Sequence, residues 1–167
     1  MSADRAVLLV GHGVPATDAP RELVTRFKAL EGRRRATGAP PTDEERDVDR
    51  QLREWPRTDA NDPYRAGMEK MATALARRLG VDRVATAYNE FCAPSVEDAV
   101  RELARAGATD IRVVPTMITP GGVHADVEIP ETLEALSAEL PHVRLRYAWP
   151  FDLDDVAELF ARGLDRL

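Results

Sequence analysis

Apolar positions follow two rhythms along this chain. Four short runs, at 6–10, 83–88, 111–118 and 143–149, have the length of strands. The first and third are nearly unbroken in Val, Leu, Ile and Met, as expected of parallel strands covered on both faces. Between them the spacing becomes helical. Tyr64, Met68, Met71, Leu75 and Leu79 recur every three or four positions, with Asp62 as a cap, Pro63 in the first turn and Gly80 at the end. A second helix is predicted from Ser95, with Val96, Val100 and Leu103 on one face and a stop at Gly107. A third begins near Pro130 and carries Leu133, Leu136 and Leu140, and a last one from about Leu153 aligns Val156, Phe160, Leu164 and Leu167. Strands alternating with helices imply right-handed βαβ crossovers and an open, doubly wound α/β sandwich.

Residues 31–60 break this rhythm. They hold an arginine run, Gly38 to Pro41, and a charged helix in which Thr42 and Glu45 suit a capping box above a stripe of Val48, Leu52 and Trp55. The segment is read as an arginine-rich helical insertion in an otherwise single domain spanning 1–167. Seven arginines (Arg33, Arg34, Arg35, Arg46, Arg50, Arg53 and Arg57) lie in or beside it, inside a chain of net charge −6. The overall sign argues against nucleic-acid binding, and the local patch offers cations to an anionic small molecule or forms a solvated, mobile face. No apolar run reaches the ~20 residues of a membrane span. The short N-terminal run lacks a signal-peptide pattern. A single cysteine, Cys92, excludes an internal disulfide and a four-thiolate or iron–sulfur site, and its apolar neighbours predict a buried, inert thiol. These features predict a cytoplasmic setting without a membrane anchor.

In a parallel sheet the strands end on one edge, where ligands bind. The residues after the first strand are Gly11-His12-Gly13, after the second Asn89 and Glu90, and after the third a stretch holding Gly121, Gly122, His124, Asp126 and Glu128. Two of three histidines and up to three carboxylates thus converge on one edge. That donor set suits Fe²⁺, Co²⁺, Ni²⁺ or Zn²⁺. A single histidine in such a turn is an ordinary structural feature, and it is the pairing that suggests a shared site. His142 precedes the last strand and is expected at the surface of the opposite edge. No nucleophile elbow, P-loop or dinucleotide fingerprint is present.

The stretches Val7-Leu-Leu-Val-Gly-His-Gly13, Tyr88-Asn-Glu-Phe-Cys-Ala-Pro-Ser95, Ile111-Arg-Val-Val-Pro115 and Gly121-Gly-Val-His-Ala-Asp-Val-Glu-Ile-Pro130, in that order, resemble the class II tetrapyrrole chelatases. The nearest group is the short, single-lobe sirohydrochlorin chelatase of the CbiX type. His12-Gly-Val-Pro15 with Asn61-Asp-Pro-Tyr64 adds an echo of the ferrochelatases. The resemblance implies a chelatase-like, flavodoxin-like three-layer α/β/α sandwich on a four-stranded parallel sheet. It implies a lyase that inserts Co²⁺, Fe²⁺ or Ni²⁺ into sirohydrochlorin for cobalamin or siroheme, within porphyrin biosynthesis, without an organic cofactor. His12 and His124 become the metal pair, with Glu90 binding metal or accepting protons. Glu128 stands where the family usually has aspartate and joins the metal residues. Gly11, Gly13, Gly121 and Gly122 are expected to let the macrocycle approach the backbone. Val14-Pro15 replaces the family's usual Ser-Arg. Homodimerisation is implied as the way single lobes enclose a tetrapyrrole. The rival readings are a non-catalytic metal or tetrapyrrole carrier, a ferrochelatase acting on a protoporphyrin, and a phosphate-handling hydrolase built on His12.

Overall fold

The computed structural model describes residues 4–167, and all four expected strands form. They are β1 (Arg5–Gly11), β2 (Val84–Tyr88), β3 (Asp110–Pro115) and β4 (Arg144–Tyr147), all parallel, in the order β2-β1-β3-β4. The third run, expected to 118, leaves the sheet at Pro115 because Thr116 to Ile118 turn away towards the site. Alternation along the strands divides the core. Ala6, Leu8, Val10, Ile111 and Val113 point to one face, and Leu9 and Val114 to the other.

The first face is covered by α4 (Val96–Arg105) and α5 (Ile129–Glu139), which bury Val96, Val100, Leu103, Ile129, Leu133 and Leu136. The Ser95 hydroxyl accepts from the Asp98 amide as the sequence suggested. The second face is covered over β1 and β2 by α3 (Pro63–Leu79), whose Asp62 cap accepts from the Arg65 amide and whose Gly80 takes the left-handed conformation. Of its predicted stripe, Met68 is buried, but Met71 and Leu79 are about half exposed, at 52% and 48%. Over β3 and β4 this face carries Arg112 and the Asp110–Arg146 ion pair, which give an apolar helix nothing to bury against.

Two departures from the expected layout concern helices. The insertion starts earlier than residue 31: α1 (Arg21–Thr37) is already helical ten residues before, ends at a left-handed Gly38, and packs on α2 (Asp43–Arg53). The Thr42 hydroxyl accepts from the Glu45 amide, but the Glu45 carboxylate turns to Arg34 instead of closing a capping box. Phe27, Val48 and Leu52 form a small core of their own with Phe91. The last helix, α6 (Leu153–Leu164), forms where expected, yet none of its residues is buried, and Phe160 and Leu164 stand 55% and 68% exposed. Its predicted apolar line is real but is not part of this core.

Candidate metal centre

The loops after β1 and β2 are hydrogen-bonded to each other at the C-terminal edge of the sheet. The Asn89 amide donates to the Gly11 carbonyl at 3.1 Å, and the Glu90 amide to the His12 carbonyl at 2.9 Å. Their closeness explains Gly13, and the packing of α3 side chains explains Gly11. A Cβ on Gly13 would lie 1.9 Å from the Glu90 carbonyl oxygen at a φ of +87°, and one on Gly11 would meet Tyr64 and Met68 at 2.9 Å. These two glycines therefore admit the protein's own chain. Gly121, at φ +96°, and Gly122 have open space around them and form the turn before His124.

After that turn the chain makes one π-helical turn, His124–Glu128, running directly into α5. The wider ring is closed by the Ile129 amide on the His124 carbonyl. His124 and Glu128 come to the same side, and their Nδ1 and Oε2 are 2.5 Å apart. The other ring nitrogen, Nε2, faces Glu90 Oε1 at 3.4 Å. His12 completes the group: its ring meets that of His124 edge-on with centroids 4.8 Å apart, and its Nδ1 lies 2.7 Å from the Gly13 carbonyl. One ligand atom each from His12, Glu90 and His124 falls within 4.8 Å of the other two.

The predicted residues therefore separate into two shells. His12, Glu90 and His124 converge. Glu128 stands behind His124, with one oxygen on the ring nitrogen and the other on Arg35. Asp126 is engaged elsewhere, accepting from the Gly121 amide and from the Trp149 indole. His142 is exposed at the opposite edge. Cys92 is buried, and burial raises its thiol pKa to about 11, so it stays protonated.

Charge in the cluster is held by opposed effects. The Glu128 hydrogen bond raises the His124 pKa and lowers that of Glu128, while burial raises that of Glu90 against the pull of His12, His124 and Arg35. With Nδ1 donating to a carbonyl in His12 and to a carboxylate in His124, each ring keeps an Nε2 lone pair for a metal. A cavity of about 340 Å³ opens beside the cluster, bounded by Glu90 and Glu128 on one side and by Glu31, Glu45 and Asp49 of the insertion on the other.

The sequence reading missed what holds Glu90 in place. Arg53 donates to the carbonyls of Tyr88, Asn89 and Cys92, and Arg57 to those of Val14, Leu52 and Phe91 while pairing with Asp62. Phe91 itself adopts a left-handed φ of 59° and packs edge-on against Phe27. Arg34 pairs with Glu45, and Arg46, Arg50 and Arg53 with acids on α2. The arginine run is thus largely paired within the protein, and Arg46 and Arg50 remain on a solvated face. Most of it is bound to the protein's own acids and carbonyls.

Comparison with known proteins adds a family and a fold. The CbiX family model matches residues 57–166, a span that holds Glu90 and His124 but begins after His12. A sirohydrochlorin cobaltochelatase of Priestia megaterium is 31% identical over 74 residues, which amount to 44% of this chain and 24% of that relative. The structure of a CbiX protein from Marinobacter aquaeolei VT8 superposes with a TM-score of 0.54 at 18% identity, covering 98% of this chain and 99% of that one. The sirohydrochlorin chelatase SirB from Bacillus subtilis subspecies spizizenii, solved with cobalt, superposes with a TM-score of 0.50 at 21% identity, covering 97% of this chain and 50% of that one. Among the described residues no helix is long and apolar enough to cross a membrane.

Proposed function

The chain belongs to the CbiX family, and from that premise we propose that it is a metal chelatase which inserts Co²⁺ or Fe²⁺ into sirohydrochlorin. The observation that carries the reading is the convergence of His12, Glu90 and His124 to within 4.8 Å of one another. The metal is substrate, so it must be held with open positions and then surrendered. Two neutral imidazoles and one carboxylate suit that task better than a closed, all-thiolate site.

Insertion replaces two pyrrole N–H protons with one divalent ion. Glu90, whose burial makes its carboxylate more basic than usual, is the nearest acceptor for those protons. Glu128 orients His124 through Nδ1 and keeps Nε2 turned to the metal, the role that carboxylates commonly play behind ligating histidines. Glu128 therefore acts in this reading through His124 and not as a metal ligand. A tetrapyrrole is larger than the 340 Å³ cavity. It would lie across the open edge of the sheet, with a second copy of the chain as the opposing lobe of a homodimer. The chain's alignment to half of SirB's length fits that arrangement. A cytoplasmic setting suits a site whose metal must be exchanged with a reduced, labile pool.

The test is to mix the protein with metal-free sirohydrochlorin and Co²⁺ or Fe²⁺ and follow the absorbance spectrum, alongside a His12→Ala/His124→Ala double variant. Multiple turnovers by wild type and a background rate for the variant are expected. Stoichiometric binding without turnover would make the protein a carrier. No spectral response would overturn the substrate assignment.

A further inference from the structure

The carboxylates facing the cluster already hold a cation. Arg35, near the end of α1, places its Nη2 at 2.8 Å from Glu31 Oε1, 3.1 Å from Glu128 Oε1 and 3.5 Å from Glu90 Oε1. The Glu90 oxygen it approaches is the one that faces His124 Nε2. Taking the cluster as the metal site proposed above, we propose that Arg35 is a cationic latch on it. In the metal-free protein its guanidinium neutralises Glu90 and Glu128, and it withdraws when a divalent ion takes Glu90.

Three features support a latch over a fixed strut. First, an ion bound by Glu90 would sit within a few ångströms of the guanidinium, and like charges so close repel strongly in a partly buried site. Second, Arg35 has a second position available without leaving its helix, because Glu31 lies one turn back at i−4 and can keep the pair by itself. Third, the side chain is 35% exposed, so it can swing outwards, whereas Arg57, which does act as a strut, is 4% exposed. The consequence is that metal loading loosens the link between the insertion and the site. The insertion would be tightest when the site is empty and freer when metal must be passed on. Arg35 is thus a positioning residue that tunes metal affinity.

The experiment is a direct Co²⁺ titration, read by the cobalt absorption bands, on full-length wild type, Arg35→Ala, Arg35→Gln, Arg35→Lys and His12→Ala, with thermal melts to confirm folding. The expected result is Co²⁺ affinity raised roughly tenfold in Arg35→Ala and Arg35→Gln, and changed by less than about threefold in Arg35→Lys, which keeps the charge. Hydrogen exchange on wild type supplies a readout that needs no variant: amides of residues 31–37 should exchange faster with Co²⁺ than without. If wild type binds Co²⁺ through His12 but neutral variants bind no tighter, or residues 31–37 become more protected on loading, the latch is wrong and the metal site stands. If wild type shows no saturable Co²⁺ binding that His12→Ala abolishes, the metal-site reading fails and the latch falls with it.

Discussion

The α1–α2 insertion and α6 are both amphipathic helical segments attached outside the sheet's own covering layers, yet they are held in opposite ways. The insertion buries only a handful of apolar residues, Phe27, Val48 and Leu52 among them, and gains the rest of its hold from arginines that donate into backbone carbonyls. α6 has the longer apolar line and buries no residue of it fully, with only Val156 half-buried. The difference shows that apolar periodicity alone does not dock a helix; the surface it meets decides. The loop after β2 offers unsatisfied carbonyls, which suit Arg53 and Arg57. Over β3 and β4 the sheet offers Arg112 and the Asp110–Arg146 pair, which give the apolar line of α6 nothing to bury against.

The strongest way to break this comparison is to remove the strut. Arg57→Met leaves Asp62, 1% exposed, without its counter-charge, and three carbonyls lose a donor. Breaking such a buried pair is expected to cost about 3–5 kcal/mol. Urea unfolding would measure it, and a loss below about 1 kcal/mol would mean that the insertion is held by its small apolar core alone. A step down in size is Phe27→Ala, which removes the ring packed edge-on against Phe91. About 3 kcal/mol is expected from a buried phenylalanine, with Co²⁺ binding weakened as the Glu90 loop loosens.

These weights explain what could be read from the sequence. The sheet, α3, α4 and α5 were legible because burial there follows period 2 or period 3.6 and the caps carry Asp62 and Ser95. The ends of the third and fourth strands and the exposure of Met71 and Leu79 went unseen. The convergence of His12, Glu90 and His124 was legible because parallel strands must end on one edge. α1 was not read as a helix: it buries only Phe27 fully, with Leu23, Val24 and Leu30 partly covered, and charges interrupt that line at Arg26, Lys28 and Glu31. Glu128 stands behind His124 because the two lie at i,i+4 on one helical turn, and that turn went unread because the helix was expected to begin only near Pro130. Arg53 and Arg57 act on backbone carbonyls, which leave no trace in side-chain pattern.

A smaller effect sharpens the link between insertion and site. When His124 is protonated in the metal-free protein it forms an ion pair with Glu128, with Glu90 and Arg35 facing it. The His124 pKa is raised above 6.5, so its contribution is complete below that value and is lost as pH rises through the higher folded value. The Glu128 pKa is lowered below 4.5, so its contribution is present above 4.5 and is lost as pH falls through the lower folded value. The pair therefore contributes most between pH 4.5 and 6.5. Subtracting Glu128→Gln from wild type in urea melts across pH 3.5–9 should give a hump of about 1 kcal/mol in that window, discounted because the carboxylate is partly solvated. A flat difference would mean that the pair is broken in solution.

The smallest effect expected is at α6, and it is the most diagnostic of why that helix differs. Phe160→Ala removes as many atoms as Phe27→Ala, but from a ring already 55% exposed. For a single chain in dilute solution the loss of stability should stay below about 0.5 kcal/mol, the range of surface substitutions. Chemistry and volume are held constant between the two substitutions, so the gap of more than 2 kcal/mol that is expected between them measures docking alone. The measurement should be repeated over a hundredfold range of protein concentration. If the cost of Phe160→Ala stays small throughout, the apolar line of α6 is solvated. If the cost grows with concentration, a second copy covers that face, and the helix this fold leaves bare is buried only between chains.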